Sequence, residues 1–459
     1  MRIVLTGFRG TGKTTVGGIV ADRLGIPFLD TDQLIEERAG MKIPAIFRDK
    51  GEAAFREMER QAIASLPGDG IVVSAGGGAV LDPGNVAHLR RGSLVFLLGA
   101  SEGTVISRIG GSDRPPLTGR PLSEEVRELL RARRPAYLRA ADFCISTSGK
   151  SPEEVGSEVM RVFRDGPASP DSRTRGERFI GDLPLDGRDR KALSSILHGA
   201  GDSPRGICGI TGYPCSHSRS PALWNQLFSR YGLPYFYTSF EWPAIEEVIR
   251  AARDLGVRGL SVTIPFKEEV MGCMDEVDED ARAIGAVNTV VQCGGVLKGF
   301  NTDWLGVRAP LEDLRGARAA VLGAGGAAAA AVYALLSLEM EVTILARTVE
   351  KADRLASRFG CRAGPLSSFG KLSPQVVVNA TPVGMLANRS SLLAEEDLGE
   401  GMTVFDLVYT PPETPLLSLA RRAGCRVIPG TEMFIHQACE QFMHVTGVRV
   451  PEALIRELV

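Results

Sequence analysis

The sequence predicts an α/β protein with more than one domain, and three observations support this class. The chain has 459 residues, more than one hydrophobic core usually organises. Short apolar segments such as 3–6, 71–74 and 94–98 alternate with amphipathic helical stretches, a pattern typical of parallel sheets covered by helices. A glycine-rich turn joins a predicted strand to a predicted helix at 7–14 and again at 321–328.

Composition favours a cytoplasmic protein. The net charge is −2 and the pI is near 6.3, so we expect no nucleic-acid partner and no membrane partner. The cysteines occur singly without a Cys-x-x-Cys pair, which disfavours a zinc site and fits a reducing compartment. The uncharged stretch 319–338 has the length of a membrane span, but its alanines and glycines predict a strand, a turn and a helix instead.

Composition also predicts where the chain divides. Residues 166–182 are polar and rich in Pro, Gly, Ser and Arg, which is typical of an exposed, flexible linker that leaves the flanking halves independent. The segment 183–203 contains a short helical pattern without a predicted role. We expect a first domain (1–165), a linker with a short helix (166–205), a lobe made of two segments (206–305 and 431–459), and a further domain (306–430).

The first domain contains a phosphate-binding loop. Residues 7–14 read GFRGTGKT, the Gly-x-x-x-x-Gly-Lys-Thr pattern, between a predicted strand and a predicted helix. Lys13 is expected to bridge the β- and γ-phosphates of ATP, and the Thr14 hydroxyl to coordinate Mg²⁺. The predicted ATP-binding residues of the loop are Gly10, Thr11, Gly12, Lys13, Thr14 and Thr15.

Two acidic residues follow the next predicted strand. The segment FLDTD places Asp30 and Asp32 on the same side of an extended chain, so we expect both to face one cleft. One carboxylate is expected to hold Mg²⁺ through water, and the other to accept a proton from an attacking hydroxyl.

Four further motifs follow in the first domain. They are EAAFREME with Arg56, SAGGGAV with Gly76, Gly77 and Gly78, SDRPPL with Arg114, and RARRPAY with Arg133. Together with the loop and the acid pair, they make the first 165 residues resemble the shikimate kinase family along its whole length. The resemblance implies a P-loop kinase domain with a parallel sheet.

The resemblance to shikimate kinases also implies a role for these residues. Asp32 would bind the ring hydroxyls of shikimate and assist the nucleophile, while Asp30 would lie near the metal. Arg56 and Arg133 would hold the substrate carboxylate, and the three glycines would contact the substrate through their backbone. Arg114 would bind ATP as part of a mobile lid that closes over the γ-phosphate and excludes water.

The second glycine turn predicts a dinucleotide-binding fold. VLGAGGAA joins a predicted strand to an alanine-rich helix, as a Rossmann pyrophosphate turn does. The next strand, EVTILART, ends at Arg347 and Thr348, which suit the 2′-phosphate of NADP(H) better than an acid would. The predicted NADP-binding residues are Gly323, Ala324, Gly325, Gly326, Ala327, Arg347, Thr348, Asn379, Thr381 and Gly430.

Motifs on both sides of this turn predict a site for a ketone substrate. SVTIPFK ends in Lys267 and NTDW contains Asp303. A lysine ammonium beside an aspartate can stabilise and protonate the alkoxide that forms when hydride reaches a carbonyl carbon. The other motifs are SHSRSP, GAVNT, NATPVGM, DLVY and GTEMFIHQA.

From residue 207 to the C-terminus these motifs resemble shikimate dehydrogenases, in the order the family has them. The resemblance implies a two-lobed dehydrogenase, with an α/β substrate lobe and a Rossmann domain, in which Lys267 and Asp303 form the catalytic pair. The implied substrate-binding residues are Ser218, Ser220, Thr263, Lys267, Asn288, Asp303, Tyr409 and Gln437. Trp224 and Trp304 depart from the family pattern, so the choice between shikimate and quinate stays open.

The two resemblances imply a fusion of consecutive enzymes. The dehydrogenase half would reduce 3-dehydroshikimate to shikimate with NADPH, and the kinase half would phosphorylate shikimate with ATP. Two alternatives stay open: a quinate dehydrogenase fused to a kinase, and a non-catalytic regulator that senses these metabolites. A regulator is expected to lose its reactive groups, whereas Lys13, Asp32, Arg56, Lys267 and Asp303 are all present. The oligomeric state, a homodimer included, stays open too.

Overall fold

The computed structural model describes residues 2–110, 121–165, 177–197, 206–216, 218–293, 296–385, 388 and 390–459. Arg114 and the first part of the expected linker, residues 166–176, lie outside the described residues. Within the described parts the chain forms three β-sheets connected by helices, which confirms the α/β class.

The first sheet lies in the kinase-like part and is entirely parallel, with strand order β2-β3-β1-β4-β5. Its strands are β1 (Arg2–Thr6), β2 (Phe28–Asp30), β3 (Val72–Ser74), β4 (Ser93–Gly99) and β5 (Phe143–Ser146). The helices are α1 (Lys13–Leu24), α2 (Thr31–Ala39), α3 (Ile43–Ala64), α4 (Pro83–Arg90), α5 (Glu102–Ile109), α6 (Leu122–Ala140) and α7 (Pro152–Asp165). Because β1 is central and buried, the loop after it opens at the carboxyl edge of the sheet.

Two helices precede the second sheet, α8 (177–182) and α9 (Gly187–Leu197). Ile180, Leu183 and Leu193 are buried in a hydrophobic core that they share with the second sheet. Residues 177–182 therefore pack against the substrate lobe, whereas the polar composition of 166–182 predicts a solvated linker, and the helix in 183–203, predicted without a role, packs there too. The difference arises because three well-spaced apolar side chains bury enough surface to fix an otherwise polar segment.

The second sheet is mixed, with strand order β7-β6-β8-β10-β11-β9 and β10 antiparallel to both of its neighbours. Its strands are β6 (Gly206–Gly212), β7 (Tyr235–Glu241), β8 (Gly259–Val262), β9 (Glu276–Val277), β10 (Thr289–Cys293) and β11 (Val296–Phe300). The helices of this part are α10 (Ser220–Arg230), α11 (Ile245–Leu255), α12 (Glu279–Ile284) and α13 (Asp303–Arg308). This sheet forms the centre of the substrate lobe.

The third sheet is parallel, with strand order β14-β13-β12-β15-β16-β17. Its strands are β12 (Arg318–Leu322), β13 (Glu341–Ala346), β14 (Arg362–Pro365), β15 (Val376–Asn379), β16 (Thr403–Asp406) and β17 (Arg426–Ile428), and its helices are α14 (Gly326–Ser337), α15 (Val349–Phe359) and α16 (Pro415–Arg422). This is the doubly wound order of a dinucleotide-binding domain. The apolar stretch 319–338 forms β12, a turn and α14, as its glycines predict. Among the helices described, none combines the length and the hydrophobicity needed to cross a bilayer.

The chain returns to the substrate lobe in α17 (Gly430–Thr446) and α18 (Glu452–Leu458). Phe442 of α17 packs against Trp224, with 5.2 Å between ring centroids. Trp224 is buried and stacks on Tyr237 at 4.9 Å. Trp224 therefore contributes to the hydrophobic core of the lobe, where an aromatic cluster holds α17 on the sheet.

Candidate active sites

The phosphate-binding loop leads directly into a helix. Gly10 and Gly12 have φ values of 79° and 86°, a left-handed region that glycine adopts without strain. The Thr11 hydroxyl donates to the Phe8 carbonyl at 2.8 Å, and Lys13 Nζ donates to the same oxygen at 3.1 Å. The loop thus places backbone N–H groups and a lysine at the N-terminus of α1, a site that favours phosphate.

The two predicted acids adjoin this loop, but the chain between them is not extended. β2 ends at Asp30, whose carboxylate accepts a hydrogen bond from the Asp32 N–H at 2.9 Å and thereby caps α2. Asp32 therefore lies in the first turn of a helix, which corrects the extended geometry that FLDTD predicts. The Thr14 hydroxyl donates to Asp30 at 2.7 Å. Among the described residues, no group of three or more His, Cys, Asp or Glu side chains is arranged to hold a metal ion.

The three-glycine turn lets two side chains approach its backbone. A Cβ at Gly76 would lie 2.5 Å from an oxygen of Asp32, and a Cβ at Gly78 would lie 2.6 Å from a nitrogen of Arg56. Any larger residue would push one of these side chains away. The structure therefore gathers Asp32, Arg56 and the turn around one space, as the motif order predicts.

A buried glutamate that the motifs did not single out holds Arg56. Glu59 accepts a hydrogen bond from Arg56 at 2.9 Å and is almost fully buried, while Glu52 accepts another at 3.1 Å. Burial raises the pKa of Glu59, and the neighbouring Arg56 guanidinium opposes this increase. The spacing of three residues on a predicted helix was the available signal, because residues i and i+3 share a helix face.

Helix α6 brings Arg133 to the same space. The Arg133 guanidinium lies 5.9 Å from the centre of the Phe8 ring. The Tyr137 hydroxyl donates to the Gly77 carbonyl, which ties α6 to the three-glycine turn. Burial raises the pKa of Tyr137 to about 12, so this tyrosine stays protonated as a donor. Of the neighbouring arginines, the side chains of Arg131 and Arg134 lie outside the described residues.

The substrate lobe holds a lysine–aspartate pair. Lys267 Nζ lies 2.6 Å from one carboxylate oxygen of Asp303, and the Asn288 amide donates to the other at 2.7 Å. The side chains of Lys267 and Asp303 are only 15% and 4% exposed, so water screens their interaction weakly. Three segments that are distant in sequence thus meet around one carboxylate.

Three further predicted residues, Ser218, Ser220 and Tyr409, lie close to one another. The Ser220 N–H donates to the Ser218 hydroxyl oxygen at 3.2 Å. Burial raises the pKa of Tyr409, and the neighbouring Ser218 hydroxyl opposes the increase. Gln437 donates to the Phe434 carbonyl within α17. The structure therefore joins the SHSRSP and DLVY motifs, as a common substrate pocket requires.

Thr263 lies beside a glycine of the second sheet, just after β8. The Thr263 N–H donates to the Thr211 carbonyl at 2.8 Å. A Cβ at Gly212 would lie 2.3 Å from the Thr263 methyl carbon, so only glycine leaves room there.

The dinucleotide turn adjoins the lysine. A Cβ at Gly326 would lie 3.4 Å from the Lys267 Cβ, so the N-terminus of α14 touches the substrate lobe. Gly323 has a φ of 118°, and a Cβ added at this position would lie only 3.0 Å from the Ala380 carbonyl oxygen. The exposed Arg347 follows β13 directly, at the edge where a ribose phosphate would lie.

The NATPVGM loop is fixed by a buried aspartate that was not predicted. Asn379 accepts hydrogen bonds from the N–H and hydroxyl of Thr381 at 3.1 and 2.8 Å, and its amide donates to Asp406 at 2.8 Å. The Thr414 hydroxyl donates to the same carboxylate at 2.6 Å. Burial raises the pKa of Asp406 to about 6. Gly430 starts α17 where an added Cβ would lie 2.5 Å from the Val408 carbonyl.

These arrangements define a P-loop phosphotransferase joined to a nicotinamide-dependent dehydrogenase. Comparison with known proteins identifies both parts. Residues 9–164 match the family model of shikimate kinase, residues 210–290 that of the shikimate dehydrogenase substrate-binding domain, and residues 307–387 that of shikimate/quinate 5-dehydrogenase.

Individual relatives match the C-terminal part. The NADP⁺ shikimate dehydrogenase of Methanopyrus kandleri is 40% identical over 278 residues, which are 56% of this chain and 96% of the relative. A crystal structure of the Thermus thermophilus shikimate 5-dehydrogenase with NADP(H) and shikimate is 35% identical, with a TM-score of 0.52, over 55% of this chain and 98% of that one. A shikimate dehydrogenase crystallised with NADP⁺ is 36% identical, with a TM-score of 0.53, over 55% and 94%.

The chain belongs to the shikimate dehydrogenase family and carries a shikimate kinase domain before its dehydrogenase domains. These are the domains of a bifunctional enzyme of the shikimate pathway.

Proposed function

We propose that the chain reduces 3-dehydroshikimate to shikimate with NADPH and then phosphorylates shikimate with ATP in the cytoplasm. The observation that supports this best is that in each half a pair of reactive side chains lies close to a glycine-rich loop of the kind that binds nucleotides. In the kinase half, Asp32 lies beside the three-glycine turn, and Asp30 accepts hydrogen bonds from the Asp32 N–H and from Thr14 of the phosphate-binding loop. In the dehydrogenase half, the Lys267–Asp303 pair touches the dinucleotide turn.

In the kinase reaction, Lys13 and the loop N–H groups bind the ATP phosphates. Thr14 and Asp30 offer a hydroxyl and a carboxylate within 2.7 Å of each other, and these oxygen ligands suit Mg²⁺. Bound Mg²⁺ would neutralise phosphate charge during transfer. Asp32 binds the attacking hydroxyl of shikimate and accepts its proton, which makes the oxygen a better nucleophile.

Positive charge orients shikimate in the kinase half. Arg56 on α3 lies beside the glycine turn, and Arg133 on α6 lies beside Phe8 of the phosphate-binding loop. Two guanidinium groups match a carboxylate well. Glu59 holds the Arg56 side chain in position, because the buried Glu59 carboxylate accepts a hydrogen bond from the Arg56 guanidinium. Arg114 supplies a further cation to the γ-phosphate in this proposal.

In the dehydrogenase reaction, Ser218 and Ser220 bind the substrate carboxylate beside Thr263 and Tyr409. Bound NADPH supplies the hydride. Lys267 donates a proton to the oxygen that becomes negative, and Asp303 holds the ammonium in position. Asn288 and Gln437 contact ring hydroxyls, with Asn288 also orienting Asp303.

The domain division follows from this assignment. We propose that residues 1–165 form the kinase unit and that 206–305 with 431–459 form the substrate lobe around the NADP domain 306–430. Residues 177–197 belong with the dehydrogenase half, because their apolar side chains lie in its core.

A coupled assay on the purified full chain tests the proposed function. With 3-dehydroshikimate and NADPH alone we expect shikimate, and with Mg-ATP added we expect shikimate 3-phosphate. Chelation of Mg²⁺ should stop the second step and leave the first unchanged, since only phosphoryl transfer needs the metal. Absence of both turnovers would favour the regulator, and faster oxidation of quinate than of shikimate with NADP⁺ would favour the quinate alternative.

The Arg347→Asp variant is expected to reverse cofactor choice. A carboxylate repels the 2′-phosphate of NADPH but accepts a hydrogen bond from the 2′-hydroxyl of NADH. The measurement is the ratio of kcat/KM for the two cofactors, which should shift toward NADH by at least about tenfold. Arg362→Met, which removes an exposed arginine from the neighbouring β14, is the matched control. An unchanged ratio would show that Arg347 does not contact the cofactor.

A further inference from the structure

One buried arginine of the dehydrogenase half reaches into the kinase half. Arg258 directly precedes β8 and is 8% exposed. It donates to the Ala141 carbonyl at 3.1 Å, to the Asp142 carbonyl at 3.4 Å and to the Cys144 sulfur at 3.2 Å. All three acceptors lie where α6 ends and β5 begins. The guanidinium therefore caps the C-terminus of α6, where carbonyl groups without a partner inside the helix and the helix dipole favour a cation.

A tyrosine supports this contact from the same side. The Arg258 guanidinium lies 4.9 Å from the centre of the Tyr235 ring, within the range of a cation–π interaction. The Tyr235 hydroxyl donates to the Leu138 carbonyl at 3.3 Å. Leu138, on the last turn of α6, is buried in the hydrophobic core of the substrate lobe. Burial of apolar surface thus favours association of the two halves, and the planar guanidinium of Arg258 fixes their relative orientation.

The same helix carries kinase residues. Arg133 and Tyr137 lie on α6 within about two turns of its C-terminal end, and Tyr137 donates to the Gly77 carbonyl of the three-glycine turn. A shift or tilt at the end of α6 therefore moves both the guanidinium of Arg133 and the support of the turn. Since binding a carboxylate through two charges depends on their spacing, a small displacement there weakens binding of the substrate.

We infer that these contacts form a domain dock, made of Leu138, Ala141, Asp142 and Cys144 on the kinase side and Tyr235 and Arg258 on the dehydrogenase side. The dock joins the two halves into one body, and Arg258 is a positioning residue for the kinase because it fixes the end of α6. The effect on shikimate binding rests on the role proposed above for Arg133. The association of the two halves does not depend on that role.

The linker alone does not account for a fixed arrangement. A flexible spacer raises the effective concentration of one half near the other but sets no orientation. The dock sets the orientation, because a buried arginine that donates to three acceptors allows little rotation of one half against the other. A kinase domain on its own would expose Leu138 and leave the end of α6 without this cation.

Association is tested on the full chain with a protease site inserted between residues 166 and 176 and then cut. We expect the two fragments of the parent to elute together on gel filtration, and those of Arg258→Met to elute separately. Arg449→Met, which removes an exposed arginine of the substrate lobe, should behave like the parent. Separation of the parent fragments, or co-elution of the Arg258→Met fragments, would overturn the dock.

Kinetics of the uncut chain test the positioning role. For Arg258→Met we expect the kinase KM for shikimate to rise about tenfold, with the KM for ATP and the dehydrogenase kcat within about twofold of the parent. Arg258→Lys, which keeps the charge, should recover part of the loss. If Arg258→Met does not fold, Tyr235→Phe replaces it, because it removes only one hydroxyl. An unchanged KM for shikimate, or an equal rise for ATP, would refute positioning, and an unchanged KM in Arg133→Ala would locate the failure in the proposed role of Arg133 instead.

Discussion

Replacing Asp32 by Asn is expected to lower kinase turnover by about 10²- to 10⁴-fold. The amide keeps the size of the side chain but cannot accept the proton of the attacking hydroxyl. ATP binding should stay close to that of the parent, because Lys13, Thr14 and the loop N–H groups hold the nucleotide. Turnover is measured with saturating shikimate, and ATP affinity by titration of the same sample.

Two controls make this result specific. The ATP affinity of the Asp32→Asn protein reports whether the kinase half has folded, and its dehydrogenase activity should equal that of the parent because Asp32 belongs to the other half. Asp49→Asn removes an exposed carboxylate of the kinase domain, paired with Arg48, and should leave turnover unchanged. Kinase turnover of Asp32→Asn within a few-fold of the parent would remove Asp32 from the reaction.

The residues that the sequence predicts best are those in local motifs. The glycines of the phosphate-binding loop need positive φ values that few other residues adopt, so the pattern itself reports the geometry. Asp30 and Asp32 show the limit of this approach. Alternation predicts an extended segment, but the Asp30 side chain accepts the N–H of Asp32 and starts a helix. The backbone between the two acids was therefore not predicted, although Asp30 contacts the phosphate-binding loop and Asp32 the three-glycine turn.

The residues that the sequence did not predict are defined by hydrogen bonds to residues distant in sequence. Arg258 and Ala141 are 117 positions apart, and no periodic pattern marks such a contact. Asp406 stands in the quoted DLVY motif, yet its function depends on Asn379 and Thr414 from other segments. Buried polar residues of this kind can be found only after the chain is folded, because what identifies them is the group that satisfies them.

Replacing Lys267 by Met is expected to reduce dehydrogenase turnover by about 10²- to 10⁴-fold. The ammonium acts mainly on charge that develops as the ketone becomes an alkoxide, so its loss affects the transition state far more than the bound ketone. Asp303 keeps its hydrogen bond from Asn288 at 2.7 Å and therefore stays in position. Affinity for shikimate should change by less than about tenfold, because the carboxylate contacts at Ser218 and Ser220 remain.

The comparison of turnover with affinity decides what Lys267 does. Turnover is followed through NADPH oxidation with 3-dehydroshikimate, and affinity through titration of the same protein with shikimate. Lys298→Met removes a partly exposed lysine of β11 that lies 3.9 Å from Glu276, and it should match the parent in both measurements. The affinity of Lys267→Met for NADPH verifies that the dehydrogenase half has folded, and its kinase activity should equal that of the parent. If affinity falls strongly while turnover stays normal, Lys267 is a binding residue only, and the proton must come from another group near Asp303.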